Sequence, residues 1–366
     1  MYDVAVIGAG PSGSMSAKLV AEAGYKVALI DKEEIPRYKP CGGAIELTLV
    51  PKYKIPNEVL EREVETIALY HTSGKVYSRI GPGAVVWRLK FDAYFQNLAA
   101  AAGAKLMDSR ILKKVGWRND YYQLELGKEK IKAKIVVAAD GANSHTLKSI
   151  GWDPFKPSEV YLTVQKEILS SERKIAEIIG ERTINFYFGK DISKFGYGWA
   201  FPKKNVISLG WGCRLSEIDN TVKSFQKFLN YGPVKKVLSS GDTIRTAAHL
   251  VPLKTREVFH ERGVLAVGDA AGLVDPISGK GIPYALESGE LAAKTIIRAL
   301  SEENMEKLAG YDEALQKSFL PVLKAKYDIV FDVYKNDENI TRYLEMWQKY
   351  RASEIALNLW RRGQES

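Results

Sequence analysis

Apolar positions along the chain gather into short runs bounded by glycine-rich turns. Residues Tyr2–Ile7 form a β-branched run of the kind a buried parallel strand carries. Small residues from Ser14 to Ala23 then predict a helix stopped at Gly24, and Lys26–Ile30 predicts a second strand that ends in Asp31. Similar apolar runs recur at Ile135–Ala139 and Gly263–Val267, and a helix is expected from about Pro283 to Leu300. Elsewhere the pattern alternates with the period of two that marks half-buried strands. Such strands are expected near Thr66–His71, Lys75–Ile80, Val160–Ile168, Thr183–Phe188, Gly196–Phe201 and Val206–Cys213, followed by a helix near Val222–Leu229. Residues 304–366 look helical and aromatic, with Tyr327, Phe331, Tyr334, Tyr343, Trp347, Tyr350 and Trp360.

The first turn reads Gly8-Ala9-Gly10-Pro11-Ser12-Gly13, a strand-to-helix glycine fingerprint. Gly8 permits the tight turn, Gly10 lets backbone approach a pyrophosphate, and Gly13 lets the helix pack on the strand. The helix N-terminus offers free N–H groups to a diphosphate, and Asp31 falls where a carboxylate would meet the adenosine ribose. Two later segments complete a series: Asp140-Gly141 after one apolar strand, and Gly268-Asp269 after another, with Pro276, Gly279, Gly281 and Ile282 beyond. Fingerprint, Asp-Gly and Gly-Asp in this order resemble the FAD-binding fold of p-hydroxybenzoate hydroxylase and its relatives. The resemblance implies that Asp269 meets the ribityl or pyrophosphate side of FAD. It also implies that the Gly279–Gly281 turn brings a helix N-terminus to the flavin edge that becomes negative on reduction, an interaction of about 0.3–2 kcal/mol. Arg88, in Trp-Arg-Leu-Lys-Phe-Asp with Asp92, matches the position where an Arg reaches toward the cofactor.

Two more segments are Pro36-Arg37-Tyr38-Lys39-Pro40-Cys41-Gly42-Gly43 and Gly196-Tyr197-Gly198-Trp199-Ala200-Phe201-Pro202. Together they resemble the geranylgeranyl reductase family, as do Ala270–Gly272 and Ser288–Ala293. The chain departs from that family at Lys194, where a proline is common. The resemblance implies an FAD-dependent reductase that saturates C=C bonds of isoprenoid chains carried by lipids, prenyl diphosphates or polyprenyl quinones. It implies Cys41, Tyr197, Trp199 and Phe201 as catalytic, with Lys32, Arg37, Cys41, Gly42, Gly43 and Leu112 joining the cofactor set. By strand period, Tyr197, Trp199 and Phe201 share one face, where they would either wall an apolar slot or pack a core. Cys41 is either a proton donor or a small residue fitting a crowded turn.

The expected fold is therefore α/β: a Rossmann-like FAD-binding domain of the p-hydroxybenzoate hydroxylase type over 1–55, 84–150 and 245–300. An antiparallel-sheet substrate domain would occupy 56–83 and 151–244, with a helical segment over 301–366. Rival enzyme readings are an aromatic monooxygenase, a halogenase-like enzyme, whose Trp-x-Trp-x-Ile-Pro motif has Tyr197 at its first tryptophan, and a quinone oxidoreductase of the electron-transfer-flavoprotein type. A non-catalytic prenyl-lipid carrier is a fourth.

Composition narrows this modestly. The chain has 366 residues, 46% hydrophobic and 27% charged, as globular proteins do. Lys and Arg number 53 against 44 Asp and Glu, and the net charge of +9 favours anionic partners. Without a second glycine fingerprint, the electron donor is expected to be transiently bound NAD(P)H or a ferredoxin; nucleic acid is not expected. Two cysteines, Cys41 and Cys213, exclude a four-cysteine cluster within the chain and point to a reducing cytoplasmic setting. His71, His145, His249 and His260 have no metal-ligand spacing. A secretory leader is not expected ahead of the strand at Tyr2, and no apolar run reaches the ~20 residues of a membrane span. The stretch Leu357–Arg362 mixes apolar and basic residues, as an interfacial helix on the inner membrane face or the frayed end of a packing helix would.

Overall fold

The computed structural model describes residues 1–349, and the chain falls into two compact units. The first comprises Met1–Tyr38, Leu89–Lys156 and Pro252–Lys324; the second comprises Lys39–Arg88, Pro157–Val251 and, among the described residues, 325–349. Residues 39–55, read from sequence with the cofactor part, thus lie in the second unit, and 301–324 lie in the first. Tyr350, Trp360 and the Leu357–Arg362 stretch lie outside the described residues.

The first unit is built on a sheet in the order His260–Glu261, Val264–Ala266, Glu129–Ala138, Tyr2–Ile7, Val27–Ile30, Lys105–Met107. All neighbours in it pair in parallel except the short first pair. Val4, Ala5 and Val6 are fully buried, as are Ile135–Ala138, which explains their uninterrupted apolar sequence. An antiparallel hairpin, Leu112–Arg118 and Tyr121–Leu126, continues onto the outer part of Glu129–Ala138. The helix Pro11–Glu22 packs beside Ile282–Ser301 through small residues. Ser16 Oγ donates to the Gly289 carbonyl at 3.1 Å, and a Cβ on Gly289 would lie 2.4 Å from the Ser12 carbonyl oxygen.

The second unit holds an eight-stranded sheet in the order Asp242–Pro252, Val160–Leu169, Val206–Arg214, Gly196–Pro202, Thr183–Phe188, Leu60–His71, Val76–Val86, Ala44–Glu46. Its described pairings are antiparallel apart from Thr183–Phe188 with Leu60–His71, which run parallel. In the same unit, helix Asp337–Lys349 is tied to a sheet strand. The Arg79 guanidinium lies 4.1 Å over the Trp347 ring and donates to the Trp347 carbonyl at 3.0 Å. Phe331 and Tyr334 pack against Phe195, so these aromatics of the C-terminal part serve packing.

Candidate functional site

The glycine turn of the first unit forms a cradle. Gly8 has φ +103°, and a Cβ there would lie 2.3 Å from the Ala139 carbonyl oxygen. A Cβ on Gly13 would lie 1.9 Å from the Gly8 carbonyl oxygen, so helix and strand meet at that point. Gly10 differs: its backbone is extended, and a Cβ would meet only the end of Arg37, at 3.5 Å. The space a Cβ would take at Gly10 is therefore open. Pro11 begins the helix and Ser12 is buried beside it.

Arg37 lies across this turn. Its Nε donates to Asp31 Oδ2 at 3.0 Å, and its guanidinium is 3.6 Å from Asp92. Asp31 also accepts from the Ala9 N–H at 2.8 Å and the Glu33 N–H at 3.1 Å, so its carboxylate is fixed at the strand end. Gln96, fully buried, donates to the Ala9 carbonyl at 2.7 Å, while its Oε1 has no partner among the described residues. Lys32 is exposed, Leu112 is buried at the start of its strand, and Arg88 is buried at the start of helix Arg88–Ala101.

The later motifs are shaped with equal care. Asp140 accepts from the Ser144 hydroxyl and, at 2.9 Å each, from the Thr146 N–H and hydroxyl. It thus holds the turn that follows, with Gly141 at φ +84°. Gly268 has φ +54° and donates to Ser288 Oγ. Asp269 Oδ1 lies 3.6 Å from where a Cβ on Gly281 would be. Buried Asp275 accepts from the Ile277 and Ser278 N–H groups at 3.0 Å each. This shapes the turn through buried Pro276 and through Gly279, at φ +67°, before the helix that Ile282 begins. The side-chain-free space at Gly10, the guanidinium over it, the orphaned Gln96 oxygen and the helix N-terminus fit an anionic dinucleotide with polar edges. The donor set suits FAD: Gly8–Gly13, Arg37 and Asp31 could hold an ADP half, and Asp269 and Gly279–Ile282 a flavin half.

The second unit carries a different surface. Trp199 pairs across the sheet with Gly210 on one side and Phe186 on the other; Phe201 pairs with Ser208 and Tyr197 with Gly212. Phe186 makes edge contacts with both Tyr197 and Phe201, and Phe188 stands 5.4 Å from Tyr197, ring centre to ring centre. A Cβ on Gly210 would fall 2.0 Å from the Trp199 ring, so glycine there lets the indole lie flat on the sheet. Gly42 is likewise seated on Phe201, with a Cβ position 2.3 Å from that ring. Gly43, at φ +83°, accepts at its carbonyl from the Val86 N–H at 2.9 Å.

Beside the aromatics runs a buried polar chain. Trp199 Nε1 donates to Gln165 Oε1 at 3.2 Å, and Gln165 Nε2 donates to Glu167 Oε1 at 2.6 Å and toward the Cys41 carbonyl at 3.4 Å. Ser208 Oγ donates to Glu167 Oε2 at 2.7 Å. Lys203 Nζ donates to Ser208 Oγ and toward the Gly42 carbonyl at 3.4 Å, and it sits 4.3 Å over the Trp87 ring. Burial pushes the Lys203 ammonium below its usual range, opposed by the charge of Glu167. Cys41 is a half-buried free thiol, whereas Cys213 is buried, which pushes its thiol up. Among the described residues no cluster of His, Cys, Asp or Glu could hold a metal ion.

Residues 1–49 and 113–317 match the model of the FAD binding domain. The chain is also 31% identical to the geranylgeranyl diphosphate reductase of Nicotiana tabacum chloroplasts, over 94% of this chain and 77% of that protein. It is 30% identical to the digeranylgeranylglycerophospholipid reductase of Methanocaldococcus jannaschii, over 92% and 88%. The chain belongs to the geranylgeranyl reductase family of FAD-binding proteins. Of solved structures, a geranylgeranyl bacteriochlorophyll reductase-like protein from Thermoplasma acidophilum superposes with a TM-score of 0.85 at 24% identity, covering 95% of this chain and 92% of that one. A flavin-dependent brominase reaches 0.76 at 16% identity with both chains covered completely, so this fold alone does not choose the chemistry.

In this family member the structure brings Gly8, Gly10, Gly13, Asp31 and Arg37 together in one unit, and Cys41, Gly42, Trp199 and Phe201 together in the other. Sequence reading missed Gln96, Gln165, Glu167, Ser208 and Lys203. The signal for the last four was faint: Gln165 and Glu167 alternate in a strand that is otherwise apolar apart from Thr163 and Lys166, and only the pairing register places Ser208 opposite Glu167.

Proposed function

We propose that this chain reduces carbon–carbon double bonds of an isoprenoid chain, with Trp199, Tyr197 and Phe201 walling the slot that receives the alkene. Bound FAD, when reduced, supplies a hydride to one alkene carbon, while a proton adds to the other. The observation carrying the reading is the glycine-floored aromatic face. An indole laid flat against Gly210 packs with Tyr197, Phe186 and Phe201 in one buried aromatic cluster, bordered on its N–H side by the polar chain that starts at Gln165. A trisubstituted alkene develops positive character at its tertiary carbon as the proton arrives. Aromatic faces stabilise such a charge by about 0.5–2 kcal/mol each, small against the ~8–23 kcal/mol that enzymes typically remove. Holding the chain in place and excluding water must therefore contribute most. The Cys41 thiol is assigned as proton holder at its Sγ, beside the segment seated on Phe201.

The donor that reduces the FAD is read as NAD(P)H or a ferredoxin, the net charge of +9 suiting an acidic protein donor. A lipid substrate would bring the protein to a membrane surface. No helix among the described residues is long and apolar enough to cross one.

Trp199→Ala tests the wall. Single-turnover reoxidation of the reduced protein by a geranylgeranyl substrate should slow by about 10–100-fold, as misplaced reactants do. An unchanged rate would remove Trp199 from the slot.

A further inference from the structure

We propose that Lys203 is a positioning residue which, with Ser208, Glu167 and Gln165, holds the backbone of Cys41 and Gly42 in register with Trp199. Residues 37–43 belong to no helix or strand, so this segment lacks a regular ladder of hydrogen bonds. Two consecutive carbonyls are met instead by side chains: Cys41 by Gln165 and Gly42 by Lys203, each at 3.4 Å. Gln165 simultaneously takes the Trp199 indole N–H at 3.2 Å. Glu167 ties the two donors together, with one oxygen on Gln165 and the other on Ser208, which receives Lys203. The apolar side of the clamp is the Phe201 ring against Gly42.

A fully buried ammonium is a poor choice if packing alone were required, since apolar groups of the same volume commonly stabilise as well or better. What an apolar group cannot do is donate to a carbonyl while being anchored from the opposite side by a carboxylate through a hydroxyl. Lys203 Nζ does both, and its stem leaves the end of the strand that carries Trp199, so one strand delivers both the wall and the clamp. The purpose of this registration rests on the reading that Cys41 and Trp199 border the reacting alkene.

The test uses the FAD-loaded protein and separates positioning from charge balance. Lys203→Met alone leaves Glu167 buried without its cation and should lower the melting temperature. Lys203→Met combined with Glu167→Gln removes both charges and should recover most of that loss. Cys41 alkylation by iodoacetamide, followed by peptide mass spectrometry, reports the local geometry without any prenyl substrate. Its rate should change about tenfold or more in the single variant and stay changed in the double one, with kcat falling more than KM rises. Ser208→Ala, which keeps both charges and breaks the bridge between them, should also change the alkylation rate about tenfold or more, and it carries the test if Lys203→Met does not fold. Wild-type alkylation in the double variant, or in Ser208→Ala, would overturn the proposal. If no prenyl lipid reoxidises the flavin yet the alkylation pattern holds, the reductase reading fails while the clamp stands.

Discussion

Gly10→Val is expected to fold with apoprotein stability within about 1 kcal/mol of wild type and to bind FAD at least about a hundredfold more weakly, about 2.7 kcal/mol. Gly10 sits at the helix N-cap with φ −74° and ψ −179°, a conformation that valine adopts without strain. Its would-be Cβ meets only the end of the Arg37 side chain, at 3.5 Å. Loss of glycine's N-cap preference costs about 1 kcal/mol or less. The isopropyl group would nonetheless fill the open space above the turn, where the backbone N–H groups and the helix N-terminus would meet a diphosphate. Gly13→Val is the contrast. Its Cβ would lie 1.9 Å from the Gly8 oxygen and 2.9 Å from the Ala139 methyl, so that variant should lose both FAD and stability. The ratio of flavin to protein absorbance reads binding. Melting of flavin-stripped protein reads stability, because bound ligand would itself raise the melting temperature. Wild-type flavin content in Gly10→Val would contradict the cradle.

Gly210→Ala carries the second large effect. Its methyl would arrive 2.0 Å from Trp199 Cζ2, and a ring held by Gln165 at its N–H and by Tyr197 at its edge has little freedom to yield. Overpacking of this kind costs about 1–3 kcal/mol. A tilt of the indole by about an ångström should lower turnover by about 100-fold. Gly212→Ala, two residues along the same strand, places its methyl 3.3 Å from Thr163 Cγ2 and 3.8 Å from Trp199. It should be nearly neutral, because replacing glycine within a strand recovers about 0.5–1 kcal/mol of backbone entropy. Equal losses in the two variants would show that the strand, and not the seat of Trp199, is what matters.

The contrast between these glycines also shows which features the sequence made legible. The Gly8–Gly13 turn could be read in advance because strand, turn, helix and Asp31 are contiguous, and each glycine answers a local demand. The parallel strands of the first unit were visible as unbroken apolar runs because both faces are covered. Gly210 and Gly212 could not be interpreted the same way, since their neighbours, Trp199 for the first and Thr163 for the second, are met only through cross-strand register. Register also hid the polar chain: Glu167 and Ser208 are forty-one residues apart and become neighbours only when Val160–Leu169 pairs with Val206–Arg214. Gln165 and Glu167 look like the solvent side of an alternating strand, yet both are 1% exposed. Strand lengths were under-read for a related reason. Leu60–His71 begins six residues before the expected Thr66, where charged Glu61, Arg62, Glu63 and Glu65 masked the pattern. The hairpin Leu112–Leu126 was missed because lysines and an exposed Trp117 blur its alternation.

The central claim is that reduced FAD in this protein delivers its electrons to an isoprenoid double bond, and its most direct test is anaerobic. The purified flavoprotein is reduced with dithionite and mixed with geranylgeranyl diphosphate or a geranylgeranylated lipid. Flavin absorbance is then followed while the lipid is weighed by mass spectrometry. Reoxidation is expected in step with the gain of two hydrogens for each double bond saturated. A flavin that stays reduced with every prenyl substrate, but reacts rapidly once oxygen and an aromatic substrate are supplied, would contradict it and assign the same fold to hydroxylation.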